Sequence, residues 1–263
     1  MSDIYRVLRG DDWAPWLREC LPGPPAEMLP WMEQHTRLLK SDTYSRVGLL
    51  RVQGQACCLK LYIAKSALQN LGFRFAYGRG IHSFDAASRL LQAGIMVPAP
   101  RTCVRIPDAM LLLTQGMEDS CDLRALWLAQ PAEEASSMYM RRAGETLCAL
   151  HLAGFAHGDC KWSNLLWTSE AFYLVDLEDV RSVRVRGAQP ESLHALQLQD
   201  IARFTADAER LRASPRQYEI FLESYCASLR YPREKLLDQI TQPLAVIRNR
   251  HERKSGRINP ALL

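Results

Sequence analysis

Three residues in one neighbourhood set the chemical question. In the stretch HGDCKWSN, residues 157–164, Asp159 and Asn164 fit the pattern D-x-x-x-x-N, and Asp176 closes the run YLVD shortly afterwards. Phosphoryl transfer uses such a set. One carboxylate accepts or orients the proton of an attacking hydroxyl, while an amide oxygen and a second carboxylate hold Mg²⁺ against nucleotide phosphates. Hard oxygen donors suit Mg²⁺, which keeps some of its water. Lys60, in the apolar run CCLKLY, offers a fixed positive charge for those phosphates. A lysine flanked by apolar residues is costly to place without a reason; the plainer alternative is an edge-strand lysine pointing to water. Each acid taken alone reads as a solvated loop carboxylate, and it is the combination that points to chemistry.

The elements that must position these residues follow from periodicity. RVGLLRV and ACCLKLYI flank the turn-like QGQ around Gly54, which predicts a hairpin with Lys60 on its second strand. In SFDAASRLLQAGIMVPAP, Phe84, Ala87, Leu90 and Leu91 recur at helical spacing and Gly94 ends the pattern. MLLLTQGM predicts a short buried strand, and DLRALWL begins a helix. SSMYMRRAGETLCALHLAGF predicts an amphipathic helix with Met140, Leu147 and Leu150 on one face, closed by Gly154. LLW, residues 165–167, predicts the strand that fixes the acidic loop. FYLVDLEDV predicts another apolar strand ending in acids. Beyond Pro190 the chain reads as helical almost to its end. The first thirty-odd residues are rich in Trp and Pro. Pro22, Gly23, Pro24 and Pro25 stop any helix there, and the segment reads as an extension packed on the body by its tryptophans. Strands first and helices afterwards imply an α+β protein of two lobes.

Composition sets limits. A chain of 263 residues suits two small lobes or one large domain, and its 48% hydrophobic content supports a real core. A formal net charge of +4 is too mild to argue for nucleic acid. The start MSDIYRVLRGDDWAPW has no apolar run behind basic residues, and no apolar segment is long enough to span a bilayer. The eight cysteines are scattered, with no CxxC pair, so neither zinc nor a disulfide framework is expected. A cytoplasmic protein with reduced thiols is the expectation.

HGDCKWSN followed by LVDLED resembles the catalytic and metal-binding loops of the protein-kinase-like superfamily, H-x-D-x-x-x-x-N and then D-F-G or D-L-E. The resemblance implies a bilobal fold with a small β-rich N-lobe and a larger helical C-lobe. It implies Asp159 as catalytic base, Asn164 and Asp176 as Mg²⁺ ligands, and Lys60 as the lysine on the phosphates of ATP. Lys161 resembles the lysine set against the transferred phosphate, and His157 a residue that braces the backbone. Within the superfamily, SFDAASRLLQAGIMVPAP, QDIARF and YEIFLESY resemble segments of the bacterial lipopolysaccharide core kinases, the group of heptose kinases, Kdo kinase and InaA-like proteins. These marks run from about residue 41 to 225. They divide the chain into an extension (1–33), an N-lobe (34–116) and a C-lobe (117–263). Asp200 in QDIARF would brace the catalytic loop through backbone N–H groups.

The chain also departs from the pattern. GxGxxG is absent; KSDTYSRVG stands in its place, with Ser41, Thr43 and Ser45 as candidate phosphate donors. The helix before Gly94 lacks the glutamate that pairs with the strand lysine. Asp85 is its only acid, and two readings stand: a shorter partner for Lys60, or an exposed side chain. Leu177 replaces the usual aromatic. Glu178 and Asp179 are metal helpers or caps. Near the C-terminus, Arg248, Arg250, Arg253, Lys254 and Arg257 face a single Glu252. Peripheral contact with the inner membrane or a phosphorylated glycolipid is one reading of that run; a solvated tail is the other. The resemblance implies an ATP-dependent kinase of an inner-core sugar, heptose first and Kdo second. The rivals are an aminoglycoside- or choline-kinase-like phosphotransferase, whose loop reads D-x-x-x-G-N where Ser163 stands here, and a silent scaffold, which the retained Lys60, Asp159, Asn164 and Asp176 oppose.

Overall fold

Alternating apolar residues build a sheet in the first half of the chain. Its strands are β1 (Arg6–Arg9), β2 (Arg37–Asp42), β3 (Ser45–Val52), β4 (Gln55–Ile63), β5 (Pro100–Ile106) and β6 (Ala109–Gln115). They pair antiparallel in the order β1-β5-β6-β4-β3-β2. The hairpin expected around Gly54 is β3–β4, with Gln53 and Gly54 both at positive φ, 51° and 74°, as a two-residue loop of this hand requires. This computed structural model describes residues 5–22, 25–183, 193–256 and 261–262. Gly23, Pro24, Pro190 and Arg257 lie outside them.

Each face of the sheet is covered by its own pair of helices. On one face Leu59, Leu61, Leu111 and Leu113 pack with Leu17 of α1 (Ala14–Cys20) and with Met28 and Met32 of α2 (Pro25–His35). On the other, Tyr62, Met110 and Leu112 pack with Phe73 of α3 (Ala67–Arg74) and Ile81 of α4 (Arg79–Gln92). Here the structure differs from the expectation of an N-terminal extension. Residues 5–35 supply an edge strand and one whole covering layer, because Met28 and Met32, four apart on one helix, are fully buried. The tryptophans of this segment, Trp13, Trp16 and Trp31, only flank that core. In α4, Leu90 is buried whereas Leu91 is exposed.

The second unit comprises Ala93–Met96 and Ser120–Leu263, the first Met1–Gln92 and Val97–Asp119. Its helices are α5 (Leu123–Leu128), α6 (Glu133–Leu152), α7 (Ala195–Arg210), α8 (Pro215–Leu229) and α9 (Arg233–Ser255). Short strands lie among them: β7 (Cys121–Asp122), β9 (Leu165–Trp167) and β10 (Phe172–Leu174) form one ribbon, and β8 (Phe155–Ala156) pairs with β11 (Arg181–Ser182). Asp122 caps α5 by accepting from the Ala125 amide, and Ser214 and Gln217 form a reciprocal capping box on α8. These caps fix where the helices start around the loop 157–164.

Candidate active site

The polar stretch forms a loop between β8 and β9, and α7 is the template against which it is laid. Asp200, Arg203 and Asp207 sit at i, i+3 and i+7 on α7 and so share one face. Asp200 is fully buried and accepts from two loop amides, His157 N at 2.6 Å and Gly158 N at 2.9 Å. Asp207 accepts from Trp162 N at 2.9 Å, and the Trp162 indole donates to Phe204 O at 3.1 Å. Trp162 is fully buried, edge-on to Trp127 with ring centroids 5.0 Å apart. The loop is thus pinned at both ends by carboxylates aimed at its backbone.

Asp200 is itself held by polar contacts from α6 and α8. His151 of α6 lies 3.3 Å from Asp200 through Nε2 and 2.7 Å from the Tyr225 hydroxyl of α8 through Nδ1. The imidazole N–H donates to the carboxylate and the phenol donates to the ring. Burial pushes the Tyr225 phenol well above its ordinary range, so the hydroxyl keeps that proton. Gln197 donates to the carbonyls of His151 and Phe155. Helices α6 and α8 therefore reach the loop through Asp200 of α7.

Within the loop, His157 is buried and joins two segments. Its Nε2 donates to Val175 O at 3.0 Å and its Nδ1 accepts from Asp159 N at 3.3 Å. Gly158 has φ +83°, and a Cβ there would lie 2.5 Å from Asp179 O, so glycine is required on both counts. Cys160 points inward, its thiol pushed well above the ordinary range first by burial and then by Asp200, Asp207 and Asp159.

The turn presents Asp159. Its carboxylate is held on one oxygen by Lys161 Nζ at 2.5 Å and on the other by Arg203 Nη1 at 2.7 Å. Asp159 is 19% exposed, against 50% for Lys161 and 33% for Arg203, so the acid is recessed between two more accessible cations. Asn164 donates its side-chain amide N–H to Asp159 O at 2.8 Å, and its main-chain carbonyl accepts from Val175 N at 3.0 Å. Asp176 follows directly, in left-handed backbone (φ 62°, ψ 55°), where the chain bends out of β10 into a short 3-10 turn.

The structure thus brings His157, Asp159, Lys161, Asn164 and Asp200 together and ties Asp176 to them through Val175. Lys60, Ser41, Thr43, Ser45 and Asp85 belong to the sheet unit. Lys60 lies on β4 between Val47 and Leu112, its Nζ 5.1 Å from the Tyr62 ring centroid. Ser41, Thr43 and Ser45 lie at the β2–β3 hairpin tip, the first two exposed and Ser45 buried. Asp42 closes that tip by accepting from the Tyr44 amide, which lowers its pKa. Asp85 has a partner that neither sequence reading named: Arg9 of β1 grips it through Nε–Oδ1 at 2.8 Å and Nη2–Oδ2 at 3.1 Å. The pairing of β1 with β5 is what carries Arg9 there. Sequence reasoning also gave no role to Arg203, Asp207 or His151. The helical spacing of three charged residues in QDIARFTAD was the available signal for the first two.

Comparison with known proteins settles the kinship. The lipopolysaccharide kinase (Kdo/WaaP) family pattern matches residues 30–225. The chain belongs to that family. A solved structure described as WaaP in complex with acyl carrier protein superimposes with a TM-score of 0.61 over 94% of this chain and 98% of that one, at 17% identity, which shows a shared fold. A probable bifunctional tRNA threonylcarbamoyladenosine biosynthesis protein of Methanocorpusculum labreanum is 32% identical over 93 residues. That match covers 34% of this chain and 16% of the relative's length.

Proposed function

We propose that the protein transfers the γ-phosphoryl group of ATP to a sugar hydroxyl of the lipopolysaccharide inner core, with a heptose as acceptor. The observation that carries this reading is the Asp159 carboxylate, recessed between Lys161 and Arg203 on a loop braced by the carboxylates of α7. A positioned base needs a carboxylate fixed in direction. Asp159 takes the proton of the acceptor hydroxyl as that oxygen attacks the γ-phosphorus. The bond to the β,γ-bridging oxygen breaks, and ADP leaves with the electron pair. Lys161 offers charge to the phosphoryl group in transit.

Lys60 would hold the nucleotide phosphates, with Ser41, Thr43 and Ser45 as covering donors. Asp85 would reach Lys60 only by exchanging partners with Arg9. Asn164 and Asp176 would hold Mg²⁺, which when bound supplies positive charge at the β- and γ-phosphates. The donors fit that ion: the Asn164 amide nitrogen is committed to Asp159 O, which leaves its amide oxygen, and Asp176 adds a carboxylate. The acceptor is lipid-anchored, so the protein would act at the cytoplasmic face of the inner membrane. Among the described residues no helix is long and apolar enough to cross a membrane.

The deciding assay incubates the protein with ATP, Mg²⁺ and inner-core acceptors lacking phosphate, and reads the product by mass spectrometry. Phosphate on heptose is the expected result, matched by its absence in core from cells without the gene. Transfer to Kdo alone would replace the acceptor. No transfer to either, by protein that binds ATP, would defeat the reading.

A further inference from the structure

Helix α3 is amphipathic the wrong way round for a helix that only covers a sheet. Its residue Phe73 is buried in the sheet core, 1% exposed. Leu68, Leu71 and Phe75 fall on the opposite side, within an arc of about 60° at 3.6 residues per turn. Leu68 and Phe75 stand 78% and 76% exposed, and Tyr77 beyond them 81%. Tyr77 is part of the same ridge. Its amide donates to Gly72 O at 2.9 Å, and a Cβ on Gly72 would meet the Tyr77 ring at 3.6 Å. Single exposed apolar side chains are ordinary, but a contiguous ridge of four marks a contact surface.

The charges that flank the ridge in sequence are cationic. From Thr43 to Phe84 the sequence contains no Asp or Glu, while Lys65, Arg74 and Arg79 border α3. Lys65 and Arg74 are exposed, and Arg6 of β1 donates to Arg74 O. The acid that touches the helix, Asp108, accepts from the Asn70 amide, about 130° around the helix from the middle of the ridge. An apolar ridge with a cationic border is what an interfacial helix presents to anionic headgroups. The ridge is convex, with three of its four side chains more than three-quarters exposed. A bilayer deforms to take such side chains, whereas a folded partner must already have a matching cleft.

We infer that the ridge Leu68–Leu71–Phe75–Tyr77 is the surface by which this protein docks on an anionic phospholipid bilayer. The inference rests on the proposed lipid-anchored acceptor for its purpose, but it is tested without it. The basic run near the C-terminus is a different surface. There Arg248 is bound to the buried Glu209, and Arg250, Arg253 and Lys254 remain exposed on α9.

The test is flotation of the purified protein with phosphatidylglycerol-containing vesicles and with neutral phosphatidylcholine vesicles. The parent should bind the anionic vesicles about tenfold better, and lose that margin in high salt. Leu68→Ser/Leu71→Ser/Phe75→Ser should weaken binding by about tenfold or more, with an unchanged melting temperature. Lys65→Glu/Arg74→Glu, which leaves the ridge intact, should lose the preference for anionic vesicles and so keeps the idea testable if the triple variant folds poorly. Arg250→Ala/Arg253→Ala should bind like the parent. Parent-like flotation of the folded triple variant, or equal binding to neutral vesicles, overturns the inference. So does a ridge that controls only self-association in sedimentation, or only capture of an acidic protein. Phosphorylation of a delipidated core sugar by the triple variant reads the catalytic proposal separately: its absence in the parent, with flotation intact, would sink the kinase reading and leave the surface standing.

Discussion

Asp159 is the residue whose replacement separates chemistry from binding. Asp159→Ala should lower kcat about a hundredfold or more, as loss of a positioned base does, while nucleotide affinity measured by calorimetry stays near the parent value. Lys161 and Arg203 are half and one-third exposed, so water takes over their charge and the fold survives. Near-parent turnover by the folded variant counts against the assignment. Arg203 holds the other oxygen of the same carboxylate and acts through it as a positioning residue. Arg203→Ala should reduce kcat roughly ten- to a hundredfold with little change in KM for ATP. Arg203→Lys should recover part of that loss, since it restores charge without the planar fork. An equal loss in both variants together with a lower melting temperature would make Arg203 merely structural. Asp159 and Asn164 stand out as candidates in D-x-x-x-x-N, whereas Lys161 is singled out only by the family resemblance. Arg203 is singled out by neither, because nothing in a linear pattern says which face of QDIARF meets a loop forty residues earlier.

Helix α7 carries more of the site than its sequence announces. Asp200→Ala would strip acceptors from two loop amides and from His151 in a dry environment. Leaving such donors unmatched costs about 1–3 kcal/mol, or a fall in Tm of roughly 2–4 °C per kcal/mol for a chain of this size. Turnover should fall with it while nucleotide affinity holds; a parent-like Tm and turnover would show the brace to be dispensable. The far end of α7 offers a second check. Glu209, 2% exposed, is gripped by Arg248 of α9 and also accepts from Leu262 N. Arg248→Ala should cost roughly 1–3 kcal/mol, less than for a fully buried pair because Arg248 is itself one-third exposed. A melting curve superimposable on the parent's would rule that out. From sequence this arginine read only as part of a basic run, since its partner lies 39 residues away. The helices α1 and α2 were hidden for a related reason. Proline and tryptophan dominate the text there, and the buried pair Met28 and Met32 is too short a period to outweigh them.

The sequence reading puts a lobe boundary at 116/117; the chain divides between Asp119 and Ser120. What no periodicity reveals is that Ala93–Met96 belongs with the second unit, through the bond from Leu174 N to Met96 O. The cysteines give each unit its own reporter. Cys103 is buried in the sheet unit with its thiol pushed up to about 12 by burial, and Cys160 is buried in the helical unit with its thiol likewise raised, by burial first. Thiolate is the reactive form, so at neutral pH both are protected twice, by access and by protonation. Cys20 is exposed, and Cys121 is exposed but raised by desolvation and the neighbouring Asp122. A soluble alkylating reagent should therefore modify Cys20 first, Cys121 more slowly, and Cys103 and Cys160 only as denaturant opens the unit that holds each. Peptide mass spectrometry across a urea series reads the two transitions independently. Modification of Cys160 in native buffer at the rate of Cys20 would mean that the loop bearing Asp159 opens on its own, and the brace formed by Asp200 and Asp207 would then be too weak to hold a catalytic base in place.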